Sequence, residues 1–419
     1  MCLKGNLWYK FIALALVLVL IVPILAACGG GEEEETASPT PVATSTPLLT
    51  ATPTVTPTAS PTPTPIPSGP VKIGAITSWS GPGAASGVGL ADPIINLVEK
   101  QVKDMGGILG GREVKVIRYD NRASVAEAIA GAKKLVDDDK VSALVYGGVS
   151  GTESEAVAGA AEKLEILYAC YGNVPGLADL KFTLNCTATE ENWIDIFVTL
   201  ADKVLKAKTV AFLATDLADN RHRVQTVKER LKATGANIVY EQYTPIDTTD
   251  FTPYLTKIKY ENPEVLILEQ NNNEANMTVA KQIMELGGWG NAKVLTLPGG
   301  EAALRLPGAD GWYILVLWLP GLPYPGAVKF EEDYEAMYGR LPSSNHVYFY
   351  NPLWTAIYAI EMAGTDTDFV KIAQVARSGK LEWETPMGRA HFTPDGLSGL
   401  TMSVARAESG KLVAVTMPE

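Results

Sequence analysis

The chain has 419 residues, a formal net charge of −12, four cysteines and three histidines. Its length suggests two domains besides any leader, and the acidic balance argues against a nucleic-acid partner. The histidines, His222, His346 and His391, are scattered without the spacing of a metal site, so neither a metal nor another cofactor is expected.

The first segment has the layout of a secretory signal. Lys4 and Lys10 precede an apolar run at 11–25, which is short for a spanning helix, and Leu25–Cys28 closes it. Small residues before a cysteine resemble the lipobox of bacterial lipoproteins. The sequence therefore predicts that residues 1–28 are a lipoprotein signal peptide, with lipidation at Cys28. The mature protein is then extracytoplasmic and anchored to the cell membrane by acyl chains. A retained membrane helix is the alternative.

Residues 29–70 predict a disordered stalk. After four glutamates at Glu32–Glu35, the segment Thr36–Pro70 is almost wholly Thr, Pro, Ser and Ala, with too few large apolar side chains to bury a core. Pro-rich chain extends by about 3.1 Å per residue, so the stalk can reach on the order of 100 Å. The body begins at Val71 and carries −10 once the two leader lysines and the four glutamates are set aside.

From Val71 onward, short apolar runs alternate with segments of helical spacing. The predicted strands are 71–76, 114–119, 141–146 and 166–169, and the predicted helices start at Asp92 as N-cap, at Ala126 and near Thr152. This alternation predicts a parallel sheet with helices on both faces. The turns that follow the strands are therefore expected at one edge, where doubly wound folds bind ligands.

The turn after the third strand is a candidate binding site. Residues 147–152 read Gly-Gly-Val-Ser-Gly-Thr and lead into helical spacing. The glycines permit a sharp turn, while a helix start presents unpaired amides and a partial positive charge. With the hydroxyls of Ser150 and Thr152, the pattern predicts a seat for a carboxylate or another acceptor-rich group. The alternative is an ordinary turn with a capping Ser or Thr.

A second alternation of the same kind follows Asn192. Its predicted strands are 209–213, 238–242, 265–268, 293–297 and 312–317, and its predicted helices are 193–205, 223–233, 252–260 and 275–286. Further helices are predicted at 328–338, 347–363 and 369–377, and a closing hairpin pairs 404–407 with 412–416. The pattern indicates two similar α/β lobes in tandem.

Several segments of the body resemble one known family. They are Lys72-Ile73-Gly74, Ser80-Gly81-Pro82, Gly-Gly-Ile-Leu-Gly-Gly at 106–111, Tyr119-Asp120, Asn262–Val265 and 390–396. By these segments the body, Val71 to about Pro418, is identified as a member of the branched-chain amino-acid-binding (Leu/Ile/Val-binding) family of ABC-transporter solute-binding lipoproteins. The resemblance implies an α/β type I periplasmic-binding-protein fold, with two doubly wound lobes joined by a three-crossover hinge.

The expected domains follow from this fold. They are an N-terminal lobe at 71–190, a C-terminal lobe at 191–320, helices returning to the N-terminal lobe at 321–383, and a segment at 384–419 that crosses the hinge and ends in the hairpin. The implied function is that of a receptor, not an enzyme, which captures a small polar ligand, first of all an amino acid. It delivers this ligand to an ABC-transporter permease, and a monomer is expected.

The resemblance also implies the ligand-binding residues. In the first lobe these are Trp79, Ser80, Ser150, Gly151, Thr152, Cys170, Tyr171 and Gly172, and in the second lobe Asn271 and Glu301. The helix start and the Cys170 loop are expected to hold an α-carboxylate and amine, and Trp79 to stack on the ligand or wall the pocket. Glu301 either meets a ligand ammonium or is an acid placed for a helix dipole. Asn271 either meets the ligand or belongs to a polar turn.

Departures from the family pattern leave the ligand open. Members that take aliphatic amino acids show Asp-x-x-x-Tyr-Gly after the first strand of the second lobe, whereas here Asp216 is followed by Asn220-Arg221. The loop after Asp120 lacks the usual proline, and Cys170-Tyr171 is unusual at its position. Amides, urea and aromatic acids, which some relatives bind, are therefore alternative ligands. Arg221 either meets an acidic ligand group or lies on a solvated helix face.

Other functions have weaker support in the sequence. Gly81, Gly83 and Gly87 miss the dinucleotide fingerprint by one residue, and Ser150 lacks the second glycine of G-x-S-x-G. A sensor lobe for a signalling partner has the same fold as a transport receptor and stays an alternative. Cys170 and Cys186 either pair in an oxidising compartment or are small buried residues.

Overall fold

The computed structural model of the protein describes residues 69–148, 150–172, 174–270, 273–289, 292–297 and 306–418. The predicted signal peptide with Cys28, nearly all of the predicted stalk, and the site candidates Asn271 and Glu301 lie outside these residues. The described chain folds around two β-sheets, with an additional two-stranded hairpin.

The first half of the described chain alternates strands and helices. The strands are β1 (Val71–Thr77), β2 (Val114–Asp120), β3 (Ala143–Tyr146), β4 (Tyr168–Cys170) and β5 (Thr183–Asn185). The helices are α1 (Asp92–Asp104), α2 (Val125–Asp137) and α3 (Gly151–Leu164). The strands form one sheet in the order β2-β1-β3-β4-β5, and all four pairs are parallel, as the alternation predicts.

Both faces of this first sheet are covered, which explains why its strands are so apolar. Ile73 and Ile76 of β1 belong to different buried clusters, because side chains three positions apart on a strand point to opposite faces. Ile94 of α1 covers the face of Ile73, whereas Leu135 of α2 and Val157 of α3 cover the face of Ile76. A parallel sheet buried on both faces is the expected result of such strands.

The next part of the chain builds a second sheet. Its strands are β6 (Thr209–Thr215), β7 (Asn237–Thr244), β8 (Val265–Glu269), β9 (Lys293–Thr296) and β10 (Tyr313–Val316), with helices α4 (Glu190–Thr199), α5 (Ala218–Ala233), α6 (Thr252–Glu261) and α7 (Asn273–Glu285). The chain continues through α8 (Pro325–Tyr338), α9 (Val347–Ala363), α10 (Phe369–Ala376), β11 (Glu382–Thr385), β12 (Gly388–His391), β13 (Ser403–Glu408) and β14 (Lys411–Val415). The second sheet runs β14-β13-β10-β9-β8-β6-β7.

The predicted closing hairpin is confirmed as the last two strands of this sheet. β13 pairs antiparallel with β14 and with β10. The pair Glu408 and Lys411 leaves a two-residue loop, Ser409-Gly410, whose φ values of 51° and 80° fit a type I′ turn. The chain therefore returns from the first lobe to complete the second sheet.

Helix α9 returns the chain to the first sheet. It packs against β3, β4 and α1, and most of its residues are buried. Gln101 of α1 anchors it, because its side-chain oxygen accepts from the Tyr350 hydroxyl at 3.1 Å and from the Trp354 indole N–H at 3.0 Å. The core of the first lobe therefore includes residues from the far end of the sequence.

The chain passes between the two sheets after β5, after β10 and after β12. Two of these crossing segments lie side by side. The Asn185 amide donates to the Gly396 carbonyl at 2.8 Å, and the Ser398 hydroxyl donates to the Thr187 carbonyl at 3.0 Å. Three segments therefore connect the two lobes, and two of them are hydrogen-bonded to each other; this is the fold class expected from the sequence.

The entry into α1 differs from the prediction. The sequence suggests Asp92 as an N-cap, but a π-helical segment, Ala85–Ala91, runs directly into α1, and Asp92 is the first residue of that helix. At Gly87 a Cβ atom would lie 2.7 Å from the Trp79 ring. The π-helical segment therefore folds closely over the Trp79 indole, which a pattern of period 3.6 does not indicate.

Cys170 and Cys186 are both free and buried. Cys170 belongs to the cluster under α2 and α3, whereas Cys186 belongs to the cluster on the opposite face of the first sheet. The backbone joins them, since the Cys186 amide donates to the Cys170 carbonyl at 2.8 Å. Of the two alternatives, the structure therefore supports buried thiols rather than a disulfide.

Within the described ranges, no helix is both long enough and apolar enough to span a membrane.

Candidate functional site

The loops that follow β1 to β4 meet at one side of the first sheet, here called the first edge: residues 78–83, 121–124, 147–148 with 150, and 171–172. Parallel strands bring their carboxyl ends together, and side chains then connect the loops. The Ser78 hydroxyl donates to the Asn121 side-chain oxygen at 2.8 Å, and the Asn121 amide donates to Glu153 at 2.7 Å. Three successive strand ends are thus linked by buried hydrogen bonds.

The turn between β3 and α3 requires its glycines. Tyr146, Gly147 and Gly148 have φ values of 81°, 91° and 118°, which a side chain adopts only at a cost. A Cβ atom at Gly147 would lie 1.6 Å from the Tyr168 hydroxyl oxygen. That hydroxyl donates to the Tyr146 carbonyl at 3.0 Å, and the Tyr171 hydroxyl donates to the Gly148 carbonyl. Two tyrosines therefore hold a turn with three positive φ angles.

Ser150 caps α3 through a capping box with Glu153. The Ser150 hydroxyl accepts from the Glu153 amide at 3.3 Å, and the Glu153 carboxylate accepts from the Ser150 amide at 2.9 Å and hydroxyl at 3.0 Å. Glu153 is only 2% exposed, whereas Ser150, Gly151 and Thr152 are exposed. The helix start therefore opens to solvent with an acidic group of the protein already bound at its cap.

Trp79 and Ser80 are tied to Asp120 at the end of β2. Asp120 accepts from the Trp79 amide at 2.9 Å and from the Ser80 hydroxyl at 2.5 Å. Burial raises the pKa of Asp120, but these bonds and that from the Arg122 amide hold its pKa below the ordinary value. The half-buried Trp79 indole donates to Asp92 at 3.0 Å and lies against Gly87, so part of the ring is covered by the segment that leads into α1.

The segment after β4 joins the first edge to α9. The half-buried Tyr171 ring lies 5.2 Å from the Tyr348 ring and 5.4 Å from the Phe349 ring, centroid to centroid. The Cys170 side chain is fully buried, and burial raises the pKa of its thiol to about 12. Gly172 packs on α3, since a Cβ there would lie 2.5 Å from the Ser154 hydroxyl oxygen. Tyr171 and Gly172 thus reach solvent, whereas the Cys170 thiol does not.

The corresponding side of the second sheet, here called the second edge, comprises the described ends of β6 and β8 with the start of α5. The Thr215 hydroxyl donates to the Gln270 side chain at 2.9 Å, and the Asn220 side-chain amide donates to the Thr215 carbonyl at 3.0 Å. Arg221 forms a bidentate pair with Asp216 at 2.6 and 2.9 Å. Its guanidinium lies 4.2 Å from the Tyr243 ring centroid, at an exposed position.

A buried ionic cluster stands behind the second edge. Arg223 donates to Glu269 at 3.1 Å, to Glu190 at 2.7 Å and to Asn220 at 2.8 Å. Glu269 is fully buried, and burial raises its pKa to about 7, although Arg223 acts to lower it. The position where the family shows Tyr-Gly is thus occupied by Asn220, which supports the cluster, and by the solvent-facing Arg221.

Sequence reasoning misses several residues of the two edges. Glu153 has a visible signal, the S-x-x-E spacing of a capping box, but its burial depends on Asn121 from another loop. Tyr348 and Phe349 arrive from α9, which lies far along the chain. The only sequence signal for Glu269 is that a charged residue follows directly on an apolar strand. Each gap arises from a contact between distant segments.

Comparison with known proteins places this architecture in a family. A family model described as periplasmic binding protein matches residues 70–411. The chain therefore belongs to the periplasmic binding protein family, which confirms the resemblance found in the sequence and the type I fold.

Solved structures show the same fold. The leucine-binding protein LivK from Thermotoga maritima has a TM-score of 0.71 at 21% identity, over 83% of this chain and 98% of that chain. LivJ from Streptococcus pneumoniae, in complex with isoleucine, has a TM-score of 0.71 at 22% identity, over 83% and 100%. A solute-binding protein of an ABC transporter from Rhodopseudomonas palustris, in complex with 3,4-dihydroxybenzoic acid, has a TM-score of 0.70 at 21% identity, over 83% and 97%.

Proposed function

We propose that the protein is an extracytoplasmic solute-binding receptor. It captures a small polar ligand, with an amino acid as the first candidate, between the first and second edges and delivers it to an ABC importer. The observation that carries this proposal is the family match over residues 70–411 combined with two lobes whose strand ends carry polar side chains. Ligand sites of open α/β sheets lie at such carboxyl-terminal edges.

The three-segment connection between the lobes supports a clamp mechanism. Besides the crossing-segment bonds, the Asn192 side chain bonds the Thr401 hydroxyl at 2.8 Å and accepts from the Met402 amide at 3.1 Å. These bonds hold the first and third crossing segments together. A ligand that contacts both edges gains interactions only when the lobes approach, so binding favours the closed state.

The ligand candidates follow from relatives and from the edges themselves. Solved relatives are named for leucine, isoleucine and 3,4-dihydroxybenzoic acid. Amino acids, amides, urea and aromatic acids therefore form the set to be tested. Trp79, Ser80, Ser150, Thr152 and Tyr171 are the proposed first-lobe contacts. Gly151 and Gly172 are proposed as close-approach positions, while Cys170 acts through its backbone; Asn271 and Glu301 are proposed on the second lobe.

A binding role fits the side chains of the first edge better than catalysis. Ser150 is held by its capping box, and the Cys170 thiol is buried with its pKa raised to about 12. A thiol in that state supplies almost no thiolate at neutral pH, so it is a poor nucleophile.

The proposal includes the position of the receptor in the cell. The signal at 1–28 directs export, Cys28 carries the lipid anchor, and the Pro-rich stalk lifts a monomeric body towards a permease. A chain cut at about Ser68 is therefore expected to leave the membrane fraction as a soluble monomer. Size-exclusion chromatography with light scattering checks this, and a body that partitions into detergent contradicts it.

Melting of the full-length protein against a ligand panel tests the receptor function. At about 100 times Kd a ligand adds roughly 2.7 kcal/mol to the free energy of unfolding, which raises the melting temperature. The panel contains amino acids, amides, urea and aromatic acids, with sugars and peptides as a second set. A shift in the first set supports the proposal, whereas a shift only in the second set changes the ligand class. No shift with either set contradicts a small-solute receptor.

A further inference from the structure

The bonding capacity of Ser150 is already largely used by the protein itself. A serine hydroxyl has one proton to donate and two lone pairs to accept. Because a carboxylate only accepts, the 3.0 Å contact with Glu153 Oε2 takes the proton of Ser150 Oγ. The Glu153 amide N–H donates to the same Ser150 oxygen at 3.3 Å and so occupies one of its lone pairs. What Ser150 offers to the solvent side is therefore its remaining lone pair.

Glu153 is held firmly enough to keep this arrangement. Its Oε1 accepts from Asn121, and Asn121 in turn accepts from Ser78, so the carboxylate is fixed from two further strand ends. Burial at 2% exposure shields these bonds from water. The carboxylate also neutralises the partial positive charge of the α3 start, which lowers its attraction for an incoming anion.

We infer that the ligand group recognised at Ser150 is an N–H donor, an ammonium or a carboxamide, and not a carboxylate. This inference rests on the proposed receptor function and names the ligand chemistry at its first edge. For an amino acid, it places the ammonium rather than the carboxylate at Ser150. Glu153 is then a positioning residue, which fixes the direction of the Ser150 hydroxyl and supplies the adjacent negative charge.

The aromatic side chains near the same turn agree with this polarity. Tyr171 is bonded to Gly148, two positions before Ser150, and its half-buried ring is paired with that of Tyr348. Aromatic faces carry negative potential, so they attract ammonium groups and disfavour carboxylates. Two independent features of the first edge, an occupied cap and an aromatic pair, thus point to one ligand chemistry.

Matched ligand triplets test the inference by titration calorimetry on the full-length protein in detergent. Benzoate, benzamide and benzylamine differ only in the polar group, as do isovalerate, isovaleramide and isopentylamine. The wild type is expected to bind an amide or amine more tightly than the carboxylate, by about tenfold or more, as expected for a hydrogen bond to a charged group. The tighter of the two N–H members then distinguishes a carboxamide site from an ammonium site.

Two substitutions on α3 make the test specific. Glu153→Gln keeps the S-x-x-E/Q spacing but removes the charge, and it leaves one acceptor oxygen where the carboxylate has two, so the side chain can no longer accept from both Asn121 and Ser150. In this variant the ratio of the carboxylate Kd to the Kd of the tighter N–H member is expected to fall by about tenfold. Glu155→Gln removes an exposed carboxylate from the same helix and should leave the wild-type preference unchanged.

Three results overturn the inference. They are a wild type that binds the carboxylate as tightly as the N–H members, an unchanged preference in Glu153→Gln, and no binding of any triplet member. The melting panel decides separately whether the protein is a receptor, so a positive panel with a failed triplet rejects only the ligand polarity at Ser150.

Discussion

The first and second edges hold their strand ends in different ways. At the first edge a chain of hydrogen bonds from Ser78 through Asn121 to Glu153 connects three loops with a single buried carboxylate. At the second edge a buried guanidinium, Arg223, connects two carboxylates and an amide, while the neighbouring Arg221 lies in solvent. The first edge therefore depends on turn geometry and capping, and the second depends on a buried charge balance.

The largest expected effect separates the two arginines of α5. Arg223→Met leaves Glu269 buried without its cation and should lower the free energy of unfolding by about 3–5 kcal/mol. Arg221→Met breaks an exposed pair and should leave the stability close to that of the wild type. Chemical denaturation of both variants measures the difference. Equal losses in the free energy of unfolding would show that the buried ion pairs of Arg223 contribute no more to stability than the exposed pair of Arg221.

The turn at the first edge should be the next most sensitive position. Gly147→Ala combines a positive φ with a clash against the Tyr168 hydroxyl, so we expect a loss of more than about 2 kcal/mol. Gly159→Ala is the matched control, because it lies inside α3 with open space around it, and should gain about 0.5–1 kcal/mol. Denaturation midpoints decide, and a Gly147→Ala variant of wild-type stability contradicts the described turn.

The buried charge balance at the second edge also predicts a pH dependence. The pKa of Glu269 is raised from 4.5 to about 7 in the folded protein, so between these values the folded state binds more protons than the unfolded state. This carboxyl therefore contributes its stability below about pH 4.5, and that contribution is lost as the pH rises through about 7.

Glu269→Gln isolates this contribution. The variant should be more stable than the wild type at pH 8 and no more stable at pH 4.5, as measured by melting temperature across the series. Glu155→Gln, an exposed control, should keep the wild-type profile. A Glu269→Gln profile that runs parallel to that of the wild type shows that Glu269 does not titrate in this window.

The smallest expected effect concerns the cap of α3. Ser150→Ala removes the hydroxyl that accepts from the Glu153 amide and donates to the Glu153 carboxylate, and it should cost about 1 kcal/mol. Thr152→Ala, at an exposed position of the first turn, should change stability by less than about 0.5 kcal/mol. Equilibrium denaturation compares the two, and a cost at Thr152 that equals or exceeds the cost at Ser150 argues against the capping box.

Much of the fold could be predicted from the sequence because its elements are locally marked. The apolar runs of β1, β3 and β8 and the helical period of α9 coincide closely with the observed elements. The short strands β5, β11 and β12 were not predicted, because they read Thr-Leu-Asn, Glu-Trp-Glu-Thr and Gly-Arg-Ala-His and contain no apolar run.

The candidate site was less predictable for a different physical reason. The local sequence of the turn marks Ser150 as a candidate. The Glu153 carboxylate that accepts the Ser150 proton is itself hydrogen-bonded to Asn121, which lies thirty-two positions away along the chain. The aromatic neighbours of Tyr171 come from α9, which follows strand β10 of the second sheet in the chain. Local pattern therefore identified the helix start, whereas the polarity of its surroundings depends on tertiary contacts.

Hydrogen–deuterium exchange of the full-length protein, with and without the tightest ligand of the panel, tests the capture between two lobes most directly. The proposed function predicts slower exchange in the presence of ligand at both edges together, in peptides that cover 78–83 and 147–153 of the first lobe and 215–221 of the second. Protection confined to one lobe, or located away from both edges, would contradict a receptor that closes on its ligand.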